Sequence, residues 1–174
     1  WAISGYVIVM VGLIWLIVHF ATLGLQKLNK AYSRYLPGSF LEVFNKRSVI
    51  DFKLGDMVER EMTIMFSDIR RYTNLSESMT PDDNFRFLVG YLSRIGEELA
   101  KSKGFAIQYY GDGIMAMFPP PGDNPVSAAV LMHERVRKYS AERIEKGRRA
   151  IEIGVGFHTG NVIMGIRGDR LRWE

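Results

Sequence analysis

The first 26 residues, Trp1 to Gln26, carry no charge, and no other feature limits the fold of this chain so strongly. All 23 basic and 19 acidic residues lie from Lys27 onward. The near-zero mean hydropathy of -0.04 is therefore an average over two chemistries joined end to end. Trp1 to Leu25 reads WAISGYVIVMVGLIWLIVHFATLGL. At about 1.5 Å per residue such a helix reaches about 37 Å, enough to cross a hydrocarbon core of about 30 Å with some tilt. Trp1 and Tyr6 are placed to anchor one interface. Lys27, Lys30 and Arg34 follow the other end, which by the positive-inside tendency puts the charged part in the cytoplasm. A secretory signal peptide is excluded by the length of the run, the missing basic leader and the missing small-x-small cleavage pattern. A multi-span transporter is excluded because only one stretch is long and apolar enough to span. His19 sits near the charged end and reads as a solvated or backbone-bonded histidine rather than a proton relay.

Residues 26–60 form a connector. Leu28, Tyr32 and Tyr35 keep helical spacing until Pro37-Gly38 interrupts it, and Phe40, Leu41 and Phe44 resume it, with Lys46-Arg47 as a last turn. Seven basic residues against four acidic ones concentrate the positive charge beside the span; attraction to anionic lipid and a solvated juxtamembrane helix are the two readings of it. A helix running from a span into a domain is also placed to transmit rotation or register.

From residue 61 the pattern is that of a compact domain. Met62 to Ser67 is a short apolar run ending at Asp68 and reads as a buried strand. Thr80-Pro81-Asp82-Asp83 is a helix start, with a hydroxyl N-cap, Pro in the first turn and acids at the positive end of the dipole. Phe85, Leu88, Leu92, Ile95 and Leu99 mark one face of that helix. Phe105 to Tyr110 and Ile114 to Phe118 read as strands around the turn Gly111-Asp112-Gly113. Asp123-Asn124-Pro125 opens a second helix to about Lys146, and Ile151 to Thr159 with Val162 to Ile166 read as a further strand pair. The order points to an α+β sheet with helices on one face. A right-handed crossover makes the first two strands parallel, so Asp68 and Asp112 reach the same end of the sheet. Two carboxylates with backbone oxygens nearby suit Mg²⁺ and phosphoryl transfer; two turn-capping aspartates are the alternative.

With no Cys, the chain offers no disulfide, zinc ribbon or thiol nucleophile. Gly160 to Gly165 has Walker A glycine spacing, but Ile166-Arg167 follow where Lys-Ser/Thr is required. His133 and His158 have no partner at ligand spacing. The basic run Arg143 to Arg149 lacks interleaved aromatics and reads as a solvated helix end, so no nucleic-acid partner is expected.

Four ordered motifs, MTIMFSDIRRYTNLSE (62–77), YYGDGIMAMFP (109–119), DNPVSAAV (123–130) and IEIGVGFHTGNVIMGIRGD (151–169), resemble the catalytic domain of class III adenylate/guanylate cyclases. The lead-in AYSRYLPGSFLEVF with IDFKLGDMVEREMT is similar to that of membrane-tethered bacterial members. The resemblance implies a ferredoxin-like βαββαβ sheet and conversion of ATP or GTP to the 3′,5′-cyclic nucleotide with release of pyrophosphate. It implies two Mg²⁺ or Mn²⁺ ions held by Asp68, Asp112 and the Ile69 carbonyl. Tyr72 and Thr73 match the pair whose backbone amides hold the terminal phosphates, and Gln108 matches the residue that reads the purine. Lys is common there in adenylate cyclases and Glu in guanylate cyclases; ATP is favoured because bacterial members mostly use it. Asn161 stands where some members place an Arg near the phosphates. The match ends at Arg172-Trp173-Glu174, before the segment that supplies the transition-state Asn and Arg in this family. Residues 1–25, 26–60 and 61–174 are thus read as span, connector and an incomplete catalytic domain of a homodimer in a bacterial inner membrane. An upstream sensor is expected in the same chain, and the piece ending at Glu174 is expected to be inactive alone. A non-catalytic, dimerising pseudo-cyclase is the second reading. A diguanylate cyclase is disfavoured, because Tyr110-Gly111-Asp112-Gly113-Ile114 lacks the Gly-Gly-Asp/Glu-Glu-Phe signature of that class.

Overall fold

The computed structural model describes residues 2–32, 38–120 and 125–168. Trp1, Arg34, Tyr35, Pro37, Asp123, Asn124 and Arg172-Trp173-Glu174 lie outside the described residues, as do the side chains of Tyr6 and Lys30. From Ala2 on, the uncharged segment lies in one helix, α1 (Ala2–Tyr32), which continues past Lys27. Within it Met10–Leu28 is long and apolar enough to cross a membrane, and none of that stretch is buried against the rest of the chain. His19 stacks on Trp15 one turn earlier, with ring centroids 5.1 Å apart.

Four strands form one sheet: β1 (Met57–Ile69), β2 (Phe105–Tyr110), β3 (Gly113–Phe118) and β4 (Ile153–Gly165). Their spatial order is β2-β3-β1-β4, and every neighbouring pair is antiparallel. Together with α4 (Pro81–Lys101) after β1 and α5 (Pro125–Glu145) after β3, this is the ferredoxin-like βαββαβ arrangement expected from the sequence. β1 and β2 do run in the same direction, but they are separated by β3, which pairs antiparallel with both. The expectation that Asp68 and Asp112 reach one end of the sheet follows from that relation.

Two of the strands differ from their sequence reading. β1 begins at Met57, not Met62, because Met57 to Glu61 pair with Gly165 to Asn161 of β4 despite the charges at 59–61. The expected strand pair over 151–166 is one 13-residue strand, β4, continuous through Gly160-Asn161. Pairing with β1 along its whole length holds that glycine extended where a turn was read.

α4 begins as its sequence dictates. Thr80 Oγ1 accepts from the Asp83 N–H at 3.2 Å and donates to the Asp83 carboxylate at 2.7 Å, a cap worth about 1 kcal/mol. Its buried face is Phe87, Tyr91, Ile95, Glu98 and Leu99. Phe85 is 68% exposed, and Leu88 and Leu92 are only partly buried. The two stripes differ by a fraction of a turn, and packing against α5 and the sheet selects the one containing Phe87 and Tyr91.

The two faces of the sheet are covered differently. On one, Met65, Ile69, Ile114, Ala116, Phe118 and Ile153 pack beneath α4 and α5. On the other, Met62, Phe105, Met117 and Met164 pack against Val43, Phe44 and Phe52 of the connector. Phe44 directly follows a short helix, α2 (Gly38–Val43), and Phe52 directly follows a 3₁₀ turn at Val49–Asp51. Phe44 lies 5.1 Å from Phe52 edge-on, and Phe40 lies 6.3 Å from Phe105. The Lys46–Asp56 ion pair, 2.9 Å, closes this segment onto the start of β1 and holds the Asp56 carboxyl below its ordinary range. Of the segment read as a connector, residues 40–58 pack on the sheet face opposite the helices and bury part of it.

Candidate functional site

The last residues of β1 alternate between faces, as the two-residue repeat of a strand requires. Met65, Ser67 and Ile69 are buried toward the helices, while Phe66 and Asp68 point to the opposite, open face. Asp68 is well exposed. Asp112 arrives from the β2–β3 turn, where Gly111 at φ 64 takes the left-handed conformation that the tight reversal needs. The Ile69 N–H donates to Asp112 Oδ2 at 2.9 Å, which leaves Oδ1 free. The two aspartates line one cavity of about 660 Å³, together with Ile69, Tyr72 and Thr73. The sequence-based site residues Asp68, Ile69, Asp112, Tyr72 and Thr73 are thus brought together.

Gln108 is not on that cavity wall. It lies on the same open face, in one row with Met115 and Phe66. Tyr110, two residues on, does line the cavity and donates its hydroxyl to Gln108 Oε1 at 3.3 Å. Gly156 stands opposite Phe66 with open space above it, so the face beside this row is a shallow trough.

Tyr72 and Thr73 open the five-residue helix α3 (Tyr72–Ser76), where first-turn amides have no intrahelical acceptor. The Tyr72 side chain is turned away from solvent. Its hydroxyl donates to Asn84 Oδ1 at 2.9 Å, and its ring lies parallel to Phe87 at 6.5 Å. Arg71, immediately before them, holds φ 59 and ψ 33, a left-handed conformation that costs a non-glycine residue about 1–2 kcal/mol.

Four groups went unassigned in the sequence reading. Arg70 and Arg71 both line the cavity, and Arg70 Nη2 lies 3.8 Å from Asp68 Oδ1 in an exposed, weak pair. The Arg70 guanidinium lies across Gly154, where any Cβ would collide with it. Two consecutive cations directly after Asp68-Ile69 were the available signal. Beneath the aspartates, Ser67 and Tyr91 are buried, and among the described residues neither hydroxyl has a properly aligned hydrogen bond. Burial pushes the Tyr91 hydroxyl up to about 12; nearby Ser67 works against this, and the Asp112 and Asp68 charges add to it. Nothing in the sequence pattern marked this pair.

Asp68 and Asp112 bring two carboxylates to one cavity, and among the described residues no group of three or more His, Cys, Asp or Glu is placed to hold a metal ion. A site of this kind leaves coordination positions for substrate phosphates, as Mg²⁺ prefers.

The model of the adenylate and guanylate cyclase catalytic domain matches residues 57–173, starting where β1 starts. The chain belongs to this cyclase family. An adenylate cyclase of Anabaena cylindrica is 37% identical over 149 residues, covering 83% of this chain and 30% of that protein. The terminal-differentiation-specific adenylate cyclase of Dictyostelium discoideum is 34% identical, covering 86% of this chain and 7% of that protein. The chain thus spans less than a third of the curated cyclases it matches. Among solved structures, the adenylyl cyclase CyaB from P. aeruginosa superposes with a TM-score of 0.62 at 25% identity, covering 68% of this chain and 65% of that one. A bacterial light-regulated adenylyl cyclase, at 18% identity and a TM-score of 0.72, shares the fold over 91% of this chain and 47% of that one. Both adenylyl and guanylyl cyclases occur among the relatives and solved structures that the chain matches.

Proposed function

We propose that the natural protein is a membrane-anchored nucleotidyl cyclase that converts ATP, or less readily GTP, to the 3′,5′-cyclic nucleotide and pyrophosphate. The observation that carries this reading is the pinning of Asp112 to the Ile69 amide beside Asp68, which holds two carboxylates at the mouth of one cavity. Asp68, Asp112 and the Ile69 carbonyl would hold two Mg²⁺ or Mn²⁺ ions. When bound, those ions supply charge neutralisation at the α-phosphate and activation of the ribose 3′-hydroxyl. The Tyr72 and Thr73 amides take the terminal phosphates, and the Arg70 and Arg71 guanidinium groups add positive charge beside them. The ribose 3′-hydroxyl gives up its proton to water, its oxygen bonds to the α-phosphorus, the bond from that phosphorus to the α,β-bridging oxygen breaks, and pyrophosphate leaves with its charge offset. Gln108 both donates and accepts, so it can address either purine edge.

The open sheet face, with Phe66 54% exposed beside the bare Gly156, would meet a second copy of the chain, giving a homodimer that completes the site. α1 would anchor the enzyme in a bacterial inner membrane with the catalytic domain in the cytoplasm, under control of a sensor elsewhere in the full-length protein. The test is incubation of the purified full-length protein with Mg²⁺ or Mn²⁺ and either nucleotide. Equimolar cyclic nucleotide and pyrophosphate, faster from ATP, is the expected result. No product from either nucleotide would leave the dimerising pseudo-cyclase.

A further inference from the structure

A second, cationic cavity of about 530 Å³ lies on the helix side of the domain, at the end of α5. α5 stops in a Schellman-type turn: Gly147 takes φ 66, its N–H reaches the Ile144 carbonyl at 2.9 Å, and the Arg148 N–H reaches the Arg143 carbonyl at 2.8 Å. The turn folds Arg148 and Arg149 back beside Arg143, and all three line the cavity. Arg143 is 3% exposed. Its guanidinium lies 4.4 Å from the Phe87 ring centre and 5.8 Å from that of Tyr139, and its Nε donates to the Arg149 carbonyl at 2.9 Å.

Among the described residues no carboxylate pairs with Arg143, Arg148 or Arg149. A buried charge without a counter-ion is costly. The two rings offset part of that cost, and so does the α5 C-terminus, which carries about half a negative charge. Asp83 on the cavity wall is engaged by the Thr80 hydroxyl, and Arg86 on the wall is paired with Asp82 at 2.7 Å. Three guanidinium groups thus line the cavity without an ion pair, against the single carboxylate of Asp83, and the lining keeps an excess of positive charge. Their planar, paired donors match phosphate oxygens better than any neutral ligand.

We propose that this cavity binds a small anion carrying two or more phosphate groups. The same cavity reaches the catalytic loop through one ring. Phe87 stacks on Tyr139 at 6.4 Å and on Tyr72 at 6.5 Å, and Tyr72 lines the site of Asp68 and Asp112. An anion clamping Arg143 over Phe87 biases the position of Tyr72, so occupancy tunes nucleotide affinity. This second half rests on the proposed cyclase function; the binding itself does not.

The probe is inorganic tripolyphosphate, titrated calorimetrically in EDTA into the full chain in detergent, so that metal-dependent binding at the aspartate site is suppressed. Arg148→Gln with Arg149→Gln, both exposed positions, is expected to weaken binding by about tenfold with the thermal midpoint unchanged. Asp68→Ala is expected to leave the affinity as it is. A lipid headgroup carries the same chemistry, so vesicles containing a polyphosphorylated lipid form a second arm. Loss of either binding in the arginine variant supports the site, and the tighter of the two assigns the source. Absence of binding in both arms, or equal affinities in wild type and variant, overturns it. A tripolyphosphate effect on the nucleotide KM that persists in the variant overturns the link to Tyr72 alone.

Discussion

The Ile69 N–H donates to Asp112 Oδ2 at 2.9 Å, so the β2–β3 turn is fastened to the end of β1 by the side chain that also faces the cavity. Asp112 therefore has two jobs, and they separate by substitution. Asp112→Asn keeps an oxygen for the Ile69 amide and loses the charge. It is expected to lower cyclase activity of the full-length protein by at least about a hundredfold with little change in thermal midpoint. Asp112→Ala also orphans a buried amide and is expected to cost about 1–3 kcal/mol of stability, read by chemical denaturation.

Tyr91 gives a pH signature. Its hydroxyl is held up to about 12 against an ordinary 10.0, so the folded state binds that proton more tightly than the unfolded chain. The resulting stability is fully present below pH 10 and is lost as pH rises from 10 towards about 12, amounting to about 2–3 kcal/mol. Tyr91→Phe is expected to remove this alkaline loss while leaving the thermal midpoint at neutral pH nearly unchanged, because the hydroxyl has no aligned partner to lose. Thermal melts across that range check it.

Phe44 tests whether the connector is part of the domain. It is 9% exposed, against Phe40 and Phe52 on the open half of the sheet. Phe44→Ala is expected to destabilise the domain by about 3 kcal/mol, in the range of large-to-small core changes. A solvated juxtamembrane linker would show almost no effect.

The sequence disclosed those parts of the fold whose signals are local. The Thr80 cap, the Gly111-Asp112-Gly113 reversal and the apolar run of α1 each depend on residues adjacent in the chain. The route from Asp68 to Asp112 also survived, because strand direction follows from crossover topology. What escaped depends on partners distant in the chain. β4 runs through Gly160-Asn161 only because β1 pairs with it throughout. Phe87 and Tyr91 take the buried stripe of α4 only because α5 and the sheet lie there. Arg70 belongs to the cavity through Gly154, 84 positions later, where the missing side chain leaves it room. Gln108, read from its distance to Asp112, shares the open face with Asp68 but stands off the cavity wall.

The central claim is that Asp68 and Asp112 form one site for divalent-metal-assisted cyclisation. It is tested most directly by the rate of cyclic nucleotide formation by the full-length protein carrying Asp68→Asn, at saturating Mn²⁺. Asp68 is exposed and, among the described residues, makes one weak ion pair, so the fold is expected to be unaffected. A fall of about a thousandfold is expected, equivalent to about 4 kcal/mol of transition-state stabilisation. A rate close to that of the unaltered protein would contradict it.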